Sequence, residues 1–251
     1  MPWRVVILTA IPPVAIGYAA ILRGFGHEPV AIVSPRGSRG RMTPLAQAHV
    51  DADPPELDIV FAASKHSLAR IFSGYDADLV LCTGFPWLLP AEAIEVPRLG
   101  VVNGHPSLLP RYRGPFPLAW AVLNGERETG LTYHRMDPAF DTGAILAQQP
   151  IPLADDETMD SLTPKLQAAS GALLPIVLER LARGEEGEPQ AGGDYQSSAD
   201  LLPYVAVDTD RSAADVHRLV RAWSFVPPVA VDRGPILDSR RLLVTSLTDV
   251  D

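Results

Sequence analysis

The chain has 251 residues and a formal net charge of −9, enough length to bury a substantial core and to hold one α/β domain with a small appendage. The acidic balance disfavours a broad nucleic-acid surface, which needs clustered basic residues. The single cysteine, Cys82, excludes an internal disulfide and a cysteine-cluster metal site. The N-terminus lacks the basic region, long apolar run and small-residue cleavage site of a signal peptide. No window approaches the roughly 18 uninterrupted apolar residues of a membrane span, so a soluble cytoplasmic protein with no membrane partner is expected.

Val5 to Thr9 is a short continuous apolar run, and Val14 to Leu22, after a Pro-Pro pair, has helical spacing, so the chain opens as strand, turn and helix. Val30 to Val33 reads as the next strand. Ser34 to Arg41 reads as a loop carrying Gly37, Gly40, Arg36, Arg39 and Arg41. Strands at Asp58 to Ala62 and Leu79 to Cys82, with a helix around Ser64 to Phe72 between them, continue the alternation. Leu99 to Asn103 supplies a further strand. This pattern predicts a doubly wound, mostly parallel sheet with helices on both faces. Such sheets bind ligands at the carboxyl ends of their strands, and Asn103 falls at such an end.

Pro115 to Leu123 looks helical, and Thr129 to Met136 and Ala144 to Pro150 alternate like a strand pair, with Asp141 in their connection. Met159 to Arg183 has helical spacing interrupted by Pro164 and Pro175, where breaks or kinks are expected. Gly184 to Gly193 is rich in Gly, Glu and Pro and marks an exposed boundary. Ser212 to Trp223 reads as an amphipathic helix with Ser212 as its cap, and Arg241 to Leu247 as a last strand. The expected division is a catalytic domain over 1–183, a linker over 184–197 and a short C-terminal subdomain over 198–251.

Between these elements, residues 101 to 113 read Val-Val-Asn-Gly-His-Pro-Ser-Leu-Leu-Pro-Arg-Tyr-Arg, with Asp141-Thr142-Gly143 downstream. Moving a one-carbon acyl unit onto an amine needs a donor carbonyl held still, a stabilised oxyanion and removal of a proton from the attacking amine. Asn103 can donate to the oxyanion without changing charge, and His105 can donate there or handle a proton. Asp141 can orient or charge the imidazole, or take the proton through a water. Asn103 and His105 are two apart, so a regular strand puts them on one face. Alone, an Asn-x-His at a strand end also reads as loop hydrogen bonding and an Asp-Thr-Gly as a turn, so only their combination points to acyl transfer.

Asn103-Gly-His-Pro-Ser-Leu-Leu-Pro-Arg-Tyr-Arg-Gly114, Trp120-Ala-Val-Leu-Asn-Gly-Glu126, Thr129-Gly-Leu-Thr-Tyr-His134 and Asp141-Thr-Gly143 together resemble the folate-dependent formyltransferase family. The likeness is densest over residues 78 to 152. It implies a Rossmann-like core, 10-formyltetrahydrofolate as co-substrate, no metal, and Asn103, His105 and Asp141 as catalytic residues. Members of the family formylate methionyl-tRNA, glycinamide ribonucleotide, amino sugars or hydroxylated amino acids. The resemblance also implies a pterin pocket walled by Gly84-Phe-Pro-Trp-Leu-Leu-Pro90, with Phe85, Trp87 and Leu89 as lining candidates and the backbone from Asp137 to Asp141 closing the other side. Phe85 and Pro86 depart from the Tyr-Gly common in several branches.

The C-terminal part of the chain narrows the acceptor. The tRNA-modifying branch resembles this chain over Asp208 to Trp223 but continues into a basic C-terminal barrel, so tRNA is disfavoured as acceptor and a small amine is expected, on an amino sugar nucleotide or an amino-acid-derived metabolite. Where relatives have Ile-Asp-Trp, this chain has Val207-Asp208-Thr209. Arg111 and Arg113 either steer an anionic substrate or pair with local carboxylates. His134 either lines the acceptor cleft or is an ordinary strand residue. The arginines of the 36–41 loop either hold an acceptor phosphate or the folate glutamate tail, or are solvated. A homodimer stays open.

Competing readings keep the same residues: a 10-formyltetrahydrofolate hydrolase with water as acceptor, a methionyl-tRNA formyltransferase-like enzyme, a non-catalytic folate-binding module, or a metal triad of His105, His134 and Asp141. A serine hydrolase built on Ser107 fails because the chain lacks the Gly-x-Ser-x-Gly elbow. No Gly-x-Gly-x-x-Gly follows the first strand, so a nicotinamide cofactor is unsupported.

Overall fold

The computed structural model describes residues 1–36, 57–204 and 212–225, with the backbone of 236–237 and 240–241. β1 (Arg4–Thr9) is apolar throughout its middle, and Val5 to Leu8 are wholly buried, as a strand covered on both faces requires. α1 (Pro12–Gly24) follows, its two prolines at the first helical positions, where a missing N–H costs nothing. β2 (Glu28–Pro35), β3 (Asp58–Ala62), α2 (Leu68–Gly74), β4 (Leu79–Thr83), the short α3 (Ala91–Ile94) and β5 (Val101–His105) complete the alternating part. Then come α4 (Pro117–Leu123), β6 (Glu128–Arg135), β7 (Ile145–Pro152), α5 (Met159–Ala182), α6 (Ala213–Ser224), and the two-residue strands β8 (Ile236–Leu237) and β9 (Arg240–Arg241).

Seven strands form one sheet in the order β3-β2-β1-β4-β5-β6-β7. The five from β3 to β5 are parallel, and β6 joins β5 antiparallel. The architecture is therefore the mostly parallel, doubly wound α/β sheet expected from the alternation. Strand order runs outward in both directions from β1, so the sheet reverses beside β4, and the crevice at the carboxyl ends of such strands is where open α/β sheets take ligands. The core around this point joins Val6, Leu8, Val33, Leu68, Phe72, Val80 and Val101.

The chain divides into two compact units, one of Met1–His105, Thr132–Gln148 and Gly171–Gln190, the other of Pro106–Leu131, Gln149–Ser170 and Ala191–Asp251. In the second unit α4 and α6 pack together, and Trp223 donates its indole N–H to the Tyr204 carbonyl at 2.9 Å. Ser212 caps α6, its hydroxyl accepting from the Asp215 backbone N–H at 3.2 Å.

Two elements differ from the sequence expectation. α5 runs unbroken through Pro164 and Pro175. Two interior prolines cost roughly 3 kcal/mol each, but Leu162, Leu173, Leu174, Val177, Leu178 and Leu181 are all buried, and at roughly 2 kcal/mol each their burial outweighs that cost. The 184–193 segment is exposed in part but is not a free tether: Glu188 and Ile145 exchange both backbone hydrogen bonds at 2.8 Å. Only Arg240–Arg241, paired with Ile236–Leu237, is described near the last predicted strand; residues 242–247, the 37–56 region with Arg39 and Arg41, and Val207-Asp208-Thr209 lie outside the described residues.

Candidate active site

β5 ends at His105, and the step from Asn103 to His105 puts both side chains on one face of the strand. Gly104 faces the other way, and a Cβ there would lie 2.9 Å from the Tyr18 hydroxyl and 3.1 Å from the Tyr133 ring. The residue between Asn and His is glycine because α1 and β6 press on that face. The Thr83 hydroxyl donates to the Gly104 carbonyl at 2.9 Å, which ties the end of β5 to that of β4.

Across the β5/β6 pair, Asn103 stands opposite His134. The Asn103 amide nitrogen lies 3.1 Å from His134 Nε2 and donates to Asp141 Oδ1 at 3.3 Å. His134 Nδ1 lies 2.8 Å from the Arg135 carbonyl. A carbonyl only accepts, so Nδ1 carries the hydrogen, and Nε2 is the ring atom that meets the Asn103 amide. Asp141 Oδ1 is 3.6 Å from His105 Nδ1 and 3.5 Å from His134 Nε2. Amide, two imidazoles and a carboxylate thus meet in one nearly buried cluster, the Asp141 side chain being 12% exposed.

Asp141 sits in a loop braced from within. It adopts a left-handed backbone, φ +54°, which only glycine adopts freely. Asp137 accepts the Ala139 backbone N–H at 3.0 Å and the Thr142 hydroxyl at 2.6 Å. Gly143 packs so closely on β6 that a Cβ would lie 2.0 Å from the Arg135 carbonyl oxygen, which is why Asp-Thr is followed by glycine. The Gln190 amide donates to the Asp141 carbonyl at 3.0 Å and to the Gly143 carbonyl at 2.7 Å.

The structure also places the remaining candidate residues. Leu89, expected with Phe85 and Trp87 on a pocket wall, is 1% exposed and belongs to the core, because the loop after β4 turns it inward with Ala93. Phe85 and Trp87 are half-buried on that core, edge to face at 5.2 Å. His134, read either as a lining of the acceptor cleft or as an ordinary strand residue, is 1% exposed and lies against the Asn103 amide. Arg111 and Arg113 belong to the second unit. There Arg111 pairs with Glu126 and lies 5.5 Å over the Tyr112 ring, so the local carboxylate claims it. Its hydrogen bond to Glu126 raises its pKa, and the same bond lowers that of Glu126. The Arg113 guanidinium is 3.5 Å from the Gly193 carbonyl.

Cys82 pairs with Asn103 across β4/β5. Burial pushes its thiol far up, and the charge of Asp141 adds to this, so it stays protonated and inert. Among the described residues no three His, Cys, Asp or Glu side chains are placed to hold a metal ion, and no helix is long and apolar enough to cross a membrane.

The model of the formyl transferase family matches residues 47–178, a span that includes every member of the cluster except the clamp at Gln190. The chain belongs to the formyl transferase family. GDP-perosamine N-formyltransferase of Brucella melitensis is 36% identical over 171 residues, covering 68% of this chain and 66% of that protein. Methionyl-tRNA formyltransferase of Sinorhizobium medicae is 30% identical over 236 residues, 90% of this chain and 75% of that one. The chain thus spans just under two thirds of the first relative's length and three quarters of the second's. Among solved structures, HypX of Aquifex aeolicus in complex with tetrahydrofolic acid shares the fold at a TM-score of 0.70 and 18% identity, over 90% of this chain and 35% of that one.

Gln190 and the inward role of His134 are what the sequence concealed. Gln190 lies in a stretch whose composition reads only as linker. His134 lies two residues beyond Thr132 and directly opposite Asn103, a pairing visible once the β5/β6 register is known.

Proposed function

We propose that this chain transfers the formyl group of 10-formyltetrahydrofolate to the amino group of a small acceptor, an amino sugar nucleotide. The observation that carries the reading is the convergence of Asn103, His105 and Asp141 within 3.6 Å contacts at the end of β5. In the proposed reaction the amine nitrogen attacks the formyl carbon, and the carbonyl oxygen takes up negative charge. The Asn103 amide and the His105 imidazole supply hydrogen bonds to that oxygen. Asp141 favours a charged imidazole on His105 and, through a water, takes the proton the amine must lose. The bond from the formyl carbon to the folate nitrogen then breaks, and that nitrogen gains a proton.

In the proposed reaction one contact of the resting cluster gives way. Both Asn103 amide hydrogens are engaged, one by His134 Nε2 at 3.1 Å and one by Asp141 Oδ1 at 3.3 Å. A formyl oxygen arriving at Asn103 competes for the longer bond, so Asp141 is released toward the amine as Asn103 turns to the oxyanion.

For the donor, half-buried Phe85 and Trp87 offer aromatic surface to a pterin, and the backbone from Asp137 to Asp141 offers hydrogen-bonding groups to its edge. The bound tetrahydrofolic acid in the Aquifex relative of the same fold supports a folate donor. For the acceptor, a sugar nucleotide is supported by the 36% identity to GDP-perosamine N-formyltransferase over 171 residues and by the net charge of −9, which disfavours a nucleic-acid partner. The longer alignment to methionyl-tRNA formyltransferase favours a second reading, with charged tRNA as acceptor.

The test is release of tetrahydrofolate from 10-formyltetrahydrofolate with GDP-perosamine, other nucleotide-linked amino sugars, methionyl-tRNA or no acceptor. Release only with an amino sugar nucleotide is expected. Release with methionyl-tRNA alone moves the acceptor to tRNA, and equal release without acceptor makes the activity a hydrolysis.

A further inference from the structure

Asp141 carries the carboxylate of the cluster on a backbone that does not hold itself. A left-handed conformation at a non-glycine residue costs on the order of 1 kcal/mol or more and persists only where surroundings enforce it. Thr142 and Asp137 tie the loop to itself. Those bonds would travel with the loop if it moved as a body.

Gln190 fixes the backbone of the turn itself to the rest of the first unit. Its amide donates to the carbonyls of both Asp141, at 3.0 Å, and Gly143, at 2.7 Å, which brackets Thr142 from outside the loop. The segment presenting Gln190 is itself anchored, since Glu188 pairs with Ile145 at the start of β7. Arg135 strengthens the anchor, its guanidinium donating to the carbonyls of Glu185 at 2.9 Å and Glu186 at 3.1 Å. Gln190 suits this place because it can offer two hydrogens from one neutral nitrogen to two carbonyls.

We infer that Gln190 is a positioning residue, which holds the left-handed turn at Asp141 and with it the distances from the Asp141 carboxylate to Asn103 and His105. This rests on the formyl-transfer reading above. It acts through Asp141 and touches no reacting atom. Its segment, which reads as a linker in the sequence, is therefore part of the catalytic apparatus.

Gln190→Glu keeps size and shape but sets an ionised, acceptor-only group against two carbonyls, and Gln190→Ala removes the donors. Both variants are expected to lower kcat about ten- to hundredfold, since misplacement of a reacting group by about 1 Å costs that much. KM for both substrates should stay within about twofold, because ground-state binding is not lost. In an Asp141→Asn background the further loss from Gln190→Glu should shrink to about twofold or less, as expected of two residues acting as one unit. Wild-type kcat in Gln190→Glu, a change confined to KM, or full additivity with Asp141→Asn overturns the inference while leaving formyl transfer intact. If wild-type protein transfers formyl to no amine, the reading of the site fails separately. The positional part is then decided by a crystal structure of Gln190→Glu: Asp141 leaving the left-handed region sustains it, and an unmoved Asp141 refutes it.

Discussion

Asn103 and His134 face each other across β5 and β6, and the asparagine amide donates to a ring nitrogen 3.1 Å away whose tautomer is set by the Arg135 carbonyl. The imidazole therefore presents a fixed acceptor that aims the amide. His134→Phe removes that acceptor and leaves buried polar groups unpaired, at a cost of about 1–3 kcal/mol in stability. It should also lower kcat by about tenfold or more with little change in donor KM, because the oxyanion donor is no longer aimed. His134→Gln, which offers an acceptor oxygen, should fall between. Steady-state kinetics and denaturant midpoints on the two variants decide this, and kcat within about twofold of wild type in His134→Phe rejects it.

The three central residues differ in what they supply. Asn103→Ala should cost about 10²–10³ in kcat, the usual loss for one oxyanion donor. His105→Ala and Asp141→Ala should each cost about 10²–10⁴, the range for a general acid or base. Donor binding, followed by fluorescence of the half-buried Trp87 or by calorimetry, should survive all three. A variant that turns over normally removes its residue from the mechanism.

Glu157 gives a pH-dependence that activity does not enter. Its carboxylate is 1% exposed, and burial by itself would raise its pKa. The Ala154 backbone N–H at 3.0 Å, the Lys165 ammonium at 2.5 Å and the Ser161 hydroxyl outweigh burial and hold it below its ordinary value of 4.5. A depressed folded pKa means that the ionised form favours folding above the ordinary value, and that this contribution is lost as pH falls through the folded value. Glu157→Gln should be less stable than wild type near neutrality by about 1–3 kcal/mol, and the two proteins should converge in acid below pH 4.5. Parallel stability curves down to the acid transition would remove Glu157 from the account.

Much of this was legible in the residues. The continuous apolar runs gave β1 and β4 because strands covered on both faces need no alternation, and the Asn-Gly-His spacing placed two functional side chains on one face. What the sequence hid depended on contacts distant along the chain. His134 reads as a strand residue until the β5/β6 register sets it against Asn103. Leu89 reads as pocket lining until the core closes over it. Gln190 lies 49 residues from the carbonyl it holds, in a stretch whose Gly, Glu and Pro content signals only exposure. Pro164 and Pro175 mislead in the other direction, since local propensity argues for a break that burial of one helix face overrides.

That override leaves a testable trace in α5. Pro175 cannot donate to the Gly171 carbonyl, the bond a helix would otherwise make there. Pro175→Ala restores the donor, while the freer unfolded chain takes back about 0.4–1 kcal/mol. A net gain of about 2 kcal/mol is expected, read as a rise of about 4–8 °C in Tm for a chain of this size. A fall in Tm would show that the half-buried ring contributes more by packing than the missing bond costs.

Gly104 ties the helix α1 to the chemistry. A Cβ there meets the Tyr18 hydroxyl at 2.9 Å and the Tyr133 ring at 3.1 Å, and Tyr133 donates to Tyr18 at 2.9 Å, so neither ring moves alone. Gly104→Ala must push β5 outward or displace the tyrosine pair, at about 1–3 kcal/mol in stability. Because Asn103 and His105 flank this position, any outward shift of β5 moves both, and kcat should fall by about tenfold or more. Tyr18→Phe removes the closest atom, so in the double variant Gly104→Ala/Tyr18→Phe part of both losses should return. A positive coupling in that cycle shows that contact with Tyr18 sets the position of the strand. Strict additivity would mean that the backbone at Gly104 is held by β4 and β6 alone.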